Sequence, residues 1–207
     1  SFGAMLTQIL EAAGYHTGGF SSPAITDVTD SFRIGGNEVS QEELGELICR
    51  IGPVCERLIN KPTEFEVLTA AAYQLFAENK CDVALVECGM GGDLDSTNVI
   101  SSPLLSVITN VRKDHCAFLG NTTEEIALHK SGIIKAGCPV LFGGSDSAAE
   151  NVIICAAENS GSELFRTDYS RISDVSHSLE GTDFTFGGFG RLHINLAGTY
   201  QVYNAAN

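Results

Sequence analysis

Glu87, Asp114, His115 and Lys130 are the residues whose types and placement could do chemistry together. Glu87 closes the apolar run Val83-Ala84-Leu85-Val86 and is followed by Gly89, Gly91 and Gly92. Glycines that dense are out of place in a helix and suit a loop whose backbone something can approach. Asp114-His115 ends the segment after a second apolar run, Leu104 to Thr109, and Lys130 sits on the helical pattern after that. A carboxylate, an imidazole and a lysine near one sheet edge could hold a metal–phosphate unit. Each also has a plainer reading. Glu87 could be a strand-end carboxylate in solvent, His115 a satisfied structural histidine, and Lys130 a charge opposing a helix dipole.

The elements that must position these groups can be read from spacing. Phe2, Met5, Leu6, Ile9, Leu10 and Ala13 predict a helix from Ser1 to Ala13. Thr17 to Phe20 is a short strand, and Ser21-Ser22-Pro23 a loop, since the residue before proline is pushed out of helix. Arg33 to Val39 reads as a hairpin about Gly35-Gly36-Asn37. Ser40-x-x-Glu43, Thr63-x-x-Glu66 and Thr122-x-x-Glu125 are capping boxes. They open helices to about Ile59, Glu78 and Ser131. Strands are predicted at 83–87, as a strand buried on both faces, and at 104–109, 139–142 and 164–165, with a helix from Ala148 to Asn159. Thr182–Phe186 and Leu192–Leu196 alternate around a glycine-rich turn as a hairpin, and Gln201–Asn207 starts a helix that is then abandoned. The fold class is therefore α/β: a three-layer, mostly parallel sheet flanked by helices, with a small antiparallel hairpin appendage. Ligands bind outside the carboxyl ends of strands in such sheets, where Glu87 lies.

Composition narrows the classes. The 207 residues predict one sizeable domain, or one plus an appendage, and 43% of them are apolar, enough for a core. A net charge of -14 argues against a nucleic-acid partner but leaves anion binding by glycine loops and helix N-termini open. Seven scattered cysteines without a CxxC pair predict reduced thiols in a cytoplasmic protein. No apolar run approaches the ~20 residues that span a bilayer, so no membrane partner is expected. The chain lacks an initiator Met and opens inside a helical pattern, which predicts a fragment.

Five ordered segments make the reading specific. They are Ser21-Ser22-Pro23; Val86 to Asn98; Thr109 to His115; Phe118-Leu119-Gly120 through Ile126-Ala127 and Lys130 to Lys135; and Gly198 to Ala206. They resemble, in turn, SSPH, LEVGLGGRLDATN, TSIGLDH, FLG…IAxEKAGIIK and GxHQxxNAA of the folylpolyglutamate and dihydrofolate synthases. Those enzymes belong to the Mur ligase superfamily, whose central domain is P-loop NTPase-like. The resemblance implies that residues 1–207 are the ATP-binding domain, without the upstream phosphate loop and the glutamate-ligase domain.

The resemblance implies an ATP-dependent amide ligase that works as a monomer. A carboxylate of folate or dihydropteroate is phosphorylated, and the amine of L-glutamate attacks the acyl phosphate. Glu87, His115 and Ser22 would ligate Mg2+, joined by Ser1 as the last residue of the phosphate loop. Lys130 matches a lysine that is carbamylated in that family, which would turn it into an anion useful near a metal. Asn204 and Gln201 would contact the adenine of ATP, and Asp95, Thr97 and Asn98 would shape the loop behind Glu87. Four departures bear on substrate choice. Ala24 follows Pro23, Asp93 stands for an arginine, His129 for a glutamate, and Thr26 to Phe32 is unlike the usual run. Another Mur-type amino-acid ligase and a non-catalytic nucleotide-binding homologue are the alternatives.

Overall fold

A computed structural model describes residues 2–207. The chain forms two compact units, Gly3–Met90 with Asp95–Val99, and Phe2, Gly91–Leu94 and Ile100–Asn207.

The first unit contains α1 (Phe2–Ala12), β1 (Thr17–Phe20), β2 (Phe32–Ile34), β3 (Asn37–Glu38), α2 (Gln41–Cys55), α3 (Glu64–Glu78) and β4 (Val83–Val86). Its sheet runs β3-β2-β1-β4, with β1 parallel to β4 and antiparallel to β2. The hairpin turn uses Gly35 and Gly36 at φ 58° and 75°, a left-handed pair that glycine adopts without steric cost. Phe20 and Phe32 pack with Leu44 and Leu47 of α2 and with Ala72, Leu75 and Phe76 of α3. Gly18 lies on the Phe20 face, where a Cβ would come 2.4 Å from the Phe76 ring. On the opposite face Thr17 donates its hydroxyl to Glu11 of α1 at 2.5 Å. That hydroxyl and the Thr17 N–H hold the Glu11 carboxyl below its usual range.

The second unit contains β5 (Ser106–Ile108), α4 (Cys116–Leu119), α5 (Thr123–Ser131), β6 (Val140–Phe142), α6 (Ser147–Asn159) and β7 (Leu164–Arg166). It continues with β8 (Ile172–His177), β9 (Thr182–Phe186), β10 (Gly190–Ile194) and α7 (Thr199–Ala206). β5-β6-β7 is an all-parallel sheet. Ile108, Val140 and Phe142 pack under Leu119, Ile126, Ala149 and Ile153 from α4, α5 and α6. A second core joins Phe184 and Phe186 of β9 to Val202 of α7.

The expected α/β class, with parallel pairs, flanking helices and an antiparallel appendage, is present. Its details differ in four places. The appendage has three strands, ordered β10-β9-β8. β8 escapes sequence patterning because its register shifts between Ser173 and Ser176, Asp174 sits at φ 53°, and most of the strand is exposed. β4 is not buried on both faces. It is the edge of its hydrogen-bonded sheet and Ala84 is exposed. The helix from Ser40 stops at Cys55, two residues after Pro53, and the terminal helix is completed to Ala206.

Candidate functional site

In the first unit the candidate groups sit at the carboxyl ends of two neighbouring parallel strands. The ladder pairs Phe20 with Val86, and the Glu87 N–H extends it by donating to the Phe20 carbonyl at 2.9 Å. Glu87 therefore emerges beside the chain that continues into Ser21 and Ser22, where the Ser22–Pro23 peptide is cis. Glu87 is exposed and Ser22 half-buried. Together they offer a carboxylate and a hydroxyl, oxygen donors of the kind a hard divalent cation takes.

The loop behind Glu87 is held from several sides. Asp95 accepts the Met90 N–H at 2.8 Å, the Thr97 N–H at 3.0 Å and the Thr97 hydroxyl at 2.5 Å. It closes the loop as a capping side chain. Tyr73 of α3 donates its hydroxyl to the Thr97 carbonyl at 2.7 Å. Burial, then nearby Cys88 and Asp95, pushes the Tyr73 phenol up to about 12. A pKa raised from the ordinary 10.0 favours the protonated, folded form up to pH 10, and this contribution is lost as pH climbs towards 12. Tyr73→Phe should cost about 1 kcal/mol at neutral pH. It should also flatten the fall in stability between pH 10 and 12, as measured by denaturant unfolding across that window.

In the second unit β5 leads through residues 109–114 to His115, which caps α4 in the left-handed region at φ 50°, ψ 35°. The His115 N–H donates to Asp114 at 2.8 Å, and its Nε2 lies 3.7 Å from the other Asp114 oxygen. Both side chains are exposed. Lys130 is half-buried in the last turn of α5, a helix opened by the Thr122–Glu125 capping box. The N–H groups of Asn121 and Thr122 hold the Glu125 carboxyl low, so the acidic N-terminus of α5 stays ionised.

Two of the sequence departures face each other. His129 Nδ1 lies 3.0 and 2.9 Å from the two Asp93 oxygens, and the Asp93 N–H donates to the His129 carbonyl at 2.9 Å. An added Cβ on Gly92 would come 2.9 Å from the carbonyls of both His129 and Lys130. Residues 91–94 are thus seated on the turn of α5 that carries Lys130. Sequence reading noted Asp93 and His129 separately and missed the pairing, because 36 residues separate them.

Gln201 is buried and Asn204 half-buried in α7, where the Asn204 amide donates to the Gln201 side chain at 3.1 Å. Ser1 lies outside the described residues. Among the described residues no three His, Cys, Asp or Glu side chains cluster closely enough to hold a metal ion, so protein carboxylates alone do not complete a site. Nor is any helix among them long and apolar enough to cross a membrane.

Comparison with known proteins places the chain in a family. The Mur ligase middle domain family model matches residues 39–207. The dihydrofolate synthase/folylpolyglutamate synthase of Bacillus subtilis is 37% identical over 98% of the chain and 49% of its own length. Mycobacterium tuberculosis folylpolyglutamate synthase complexed with ADP and AMPPCP superposes with a TM-score of 0.90 at 27% identity, over 100% of this chain and 50% of that one. An FPGS–AMPPCP–folate complex superposes at 0.90 with 34% identity, covering 99% and 52%. The chain spans about half the length of these relatives.

Proposed function

Because the chain belongs to the Mur ligase middle-domain family, we propose that the protein containing it joins L-glutamate to a folate-type acid at the expense of ATP. The observation that supports this reading best is that Glu87 and the Ser21–Ser22 segment leave the carboxyl ends of two adjacent parallel strands, within a fold shared over nearly its full length with relatives that hold a nucleotide analogue and folate.

The chemistry needs an anionic carboxylate to reach the γ-phosphate of ATP, so negative charge must be screened where the two meet. Magnesium, when bound, supplies that screening. Glu87 and Ser22 would hold it with two oxygens, leaving its other positions to water and phosphate, as is usual for this cation. In the second unit His115 and Lys130 are the candidate groups for the phosphate end, with Lys130 able to act as a cation or, if carbamylated, as an anion. Gln201 and Asn204 are assigned to the adenine. Once the acyl phosphate forms, the glutamate amine attacks its carbonyl, phosphate leaves and an amide remains. Seven free thiols suit a reducing, cytoplasmic compartment, and we infer a monomer.

The departures at Ala24, Asp93 and His129 gave the non-catalytic alternative its footing. The contact between Asp93 and His129 makes those two a compensated pair, which favours the ligase reading over it. The test is phosphate release by the full-length protein. Release should require ATP, glutamate and either dihydropteroate or a reduced folate together; no release with either acid would overturn the proposal.

A further inference from the structure

The helix that carries Lys130, α5, is only nine residues long, and a helix that short is marginal without outside support. Its first turn is closed by the Thr122–Glu125 capping box. Its last turn is held by residues 91–93 in three ways. The Asp93 N–H donates to the His129 carbonyl at 2.9 Å, one of the last four carbonyls that a helix leaves short of donors. Gly92 rests on the carbonyls of His129 and Lys130. Gly132 ends the helix at φ -60°, a value open to any residue, yet an added Cβ there would come 2.4 Å from Cα and Cβ of Asp93.

The third hold is the Asp93 carboxylate. An acid at the negative end of a helix dipole is unfavourable by itself, so helix stability does not account for it. Both its oxygens lie within 3.0 Å of His129 Nδ1. A carboxylate only accepts, so Nδ1 carries the hydrogen, and the bond stands whether His129 is neutral or charged. Neighbouring helix side chains point about 100° apart around the axis. A turn pinned at both the carbonyl and the ring of residue 129 has little freedom to rotate, and Lys130 takes its direction from that turn. We propose that Asp93 and His129 are positioning residues, a clasp that makes Lys130 present its amine in one direction. The inference rests on the ligase reading and deepens it, by naming what aims the lysine assigned to the phosphate end. It also gives the two departures a common sense. Acid and base have changed places relative to the arginine and glutamate of the resembling motifs, so the clasp needs the bond and not a particular side for the charge.

The test uses the full-length protein. His129→Ala should lower kcat about tenfold, the scale of one hydrogen bond to a charged group, with KM for each substrate moving less than about twofold. Alanine favours helix over histidine, so fraying of α5 would not explain the loss. His129→Glu, which sets two carboxylates face to face, should fall lower still. Asp93→Arg/His129→Glu should recover most of the rate. In a Lys130→Ala background His129→Ala should cost less than about twofold, because the side chain it aims is gone. A full tenfold loss there would make the pair merely structural and overturn the proposal. So would an unchanged kcat in His129→Ala, or a double variant no better than His129→Glu. Acetylation of the Lys130 amine, read by mass spectrometry against exposed Lys61, needs no turnover. Its rate should rise about threefold in His129→Ala as the turn loosens, and return in the double variant. That rise in a protein that turns over no acid would keep the clasp and sink the ligase reading; turnover with an unchanged Lys130 rate would do the reverse.

Discussion

Glu87→Gln in the full-length protein should lower kcat for ATP- and glutamate-dependent phosphate release by about 10²–10³-fold, the scale of losing one group that stabilises transition-state charge. The substitution keeps shape and removes a charge. The exposed side chain follows a strand whose attachment is made by its backbone N–H to Phe20, which glutamine retains. Stability should change by under ~0.5 kcal/mol, as for other surface positions. Activity and melting temperature therefore separate. If the carboxylate acts by holding magnesium, raising the metal concentration restores part of the lost rate. A variant with full activity at limiting magnesium would remove Glu87 from the site.

Gly92→Ala should destabilise by about 3 kcal/mol, the upper range for overpacking a filled site. The new methyl would meet two backbone carbonyls and the Ile133 side chain, each at 2.9 Å, and a carbonyl on a helix cannot turn aside as a flexible side chain can. Either the 91–94 segment lifts from α5 or the turn bearing Lys130 shifts. Activity should drop along with stability for that reason. Gly45→Ala is the contrasting control. Its Cβ meets nothing within 4 Å on α2, so it should stabilise by about 0.5–1 kcal/mol through helix propensity. Denaturant unfolding of both variants checks the pair, and equal effects would contradict the packing described.

Local signals carried much of this architecture. The capping side chains Ser40, Thr63 and Thr122 accept from Glu43, Glu66 and Glu125 as their spacing predicts, since a cap is decided within four residues. The apolar strand β6 lies under helices, with Val140 and Phe142 buried on one face and Leu141 half-buried on the other. What escaped reading was set at long range. β8 is polar and bulged and exists because β9 beside it supplies the ladder. Ser22 and Glu87 were legible as types, whereas the adjacency of the strand ends they follow needed the β1–β4 register.

The Tyr169 ring crosses Tyr203 of α7 edge-on at 5.1 Å, and its hydroxyl lies 2.7 Å from the Asn207 side chain while also meeting the Gly143 carbonyl just past β6. That single phenol rivets the tip of the last helix to the rim of the parallel sheet. Gln201 and Asn204 consequently cannot drift independently of that rim, so whatever α7 contacts is gauged against the sheet by one fixed ruler.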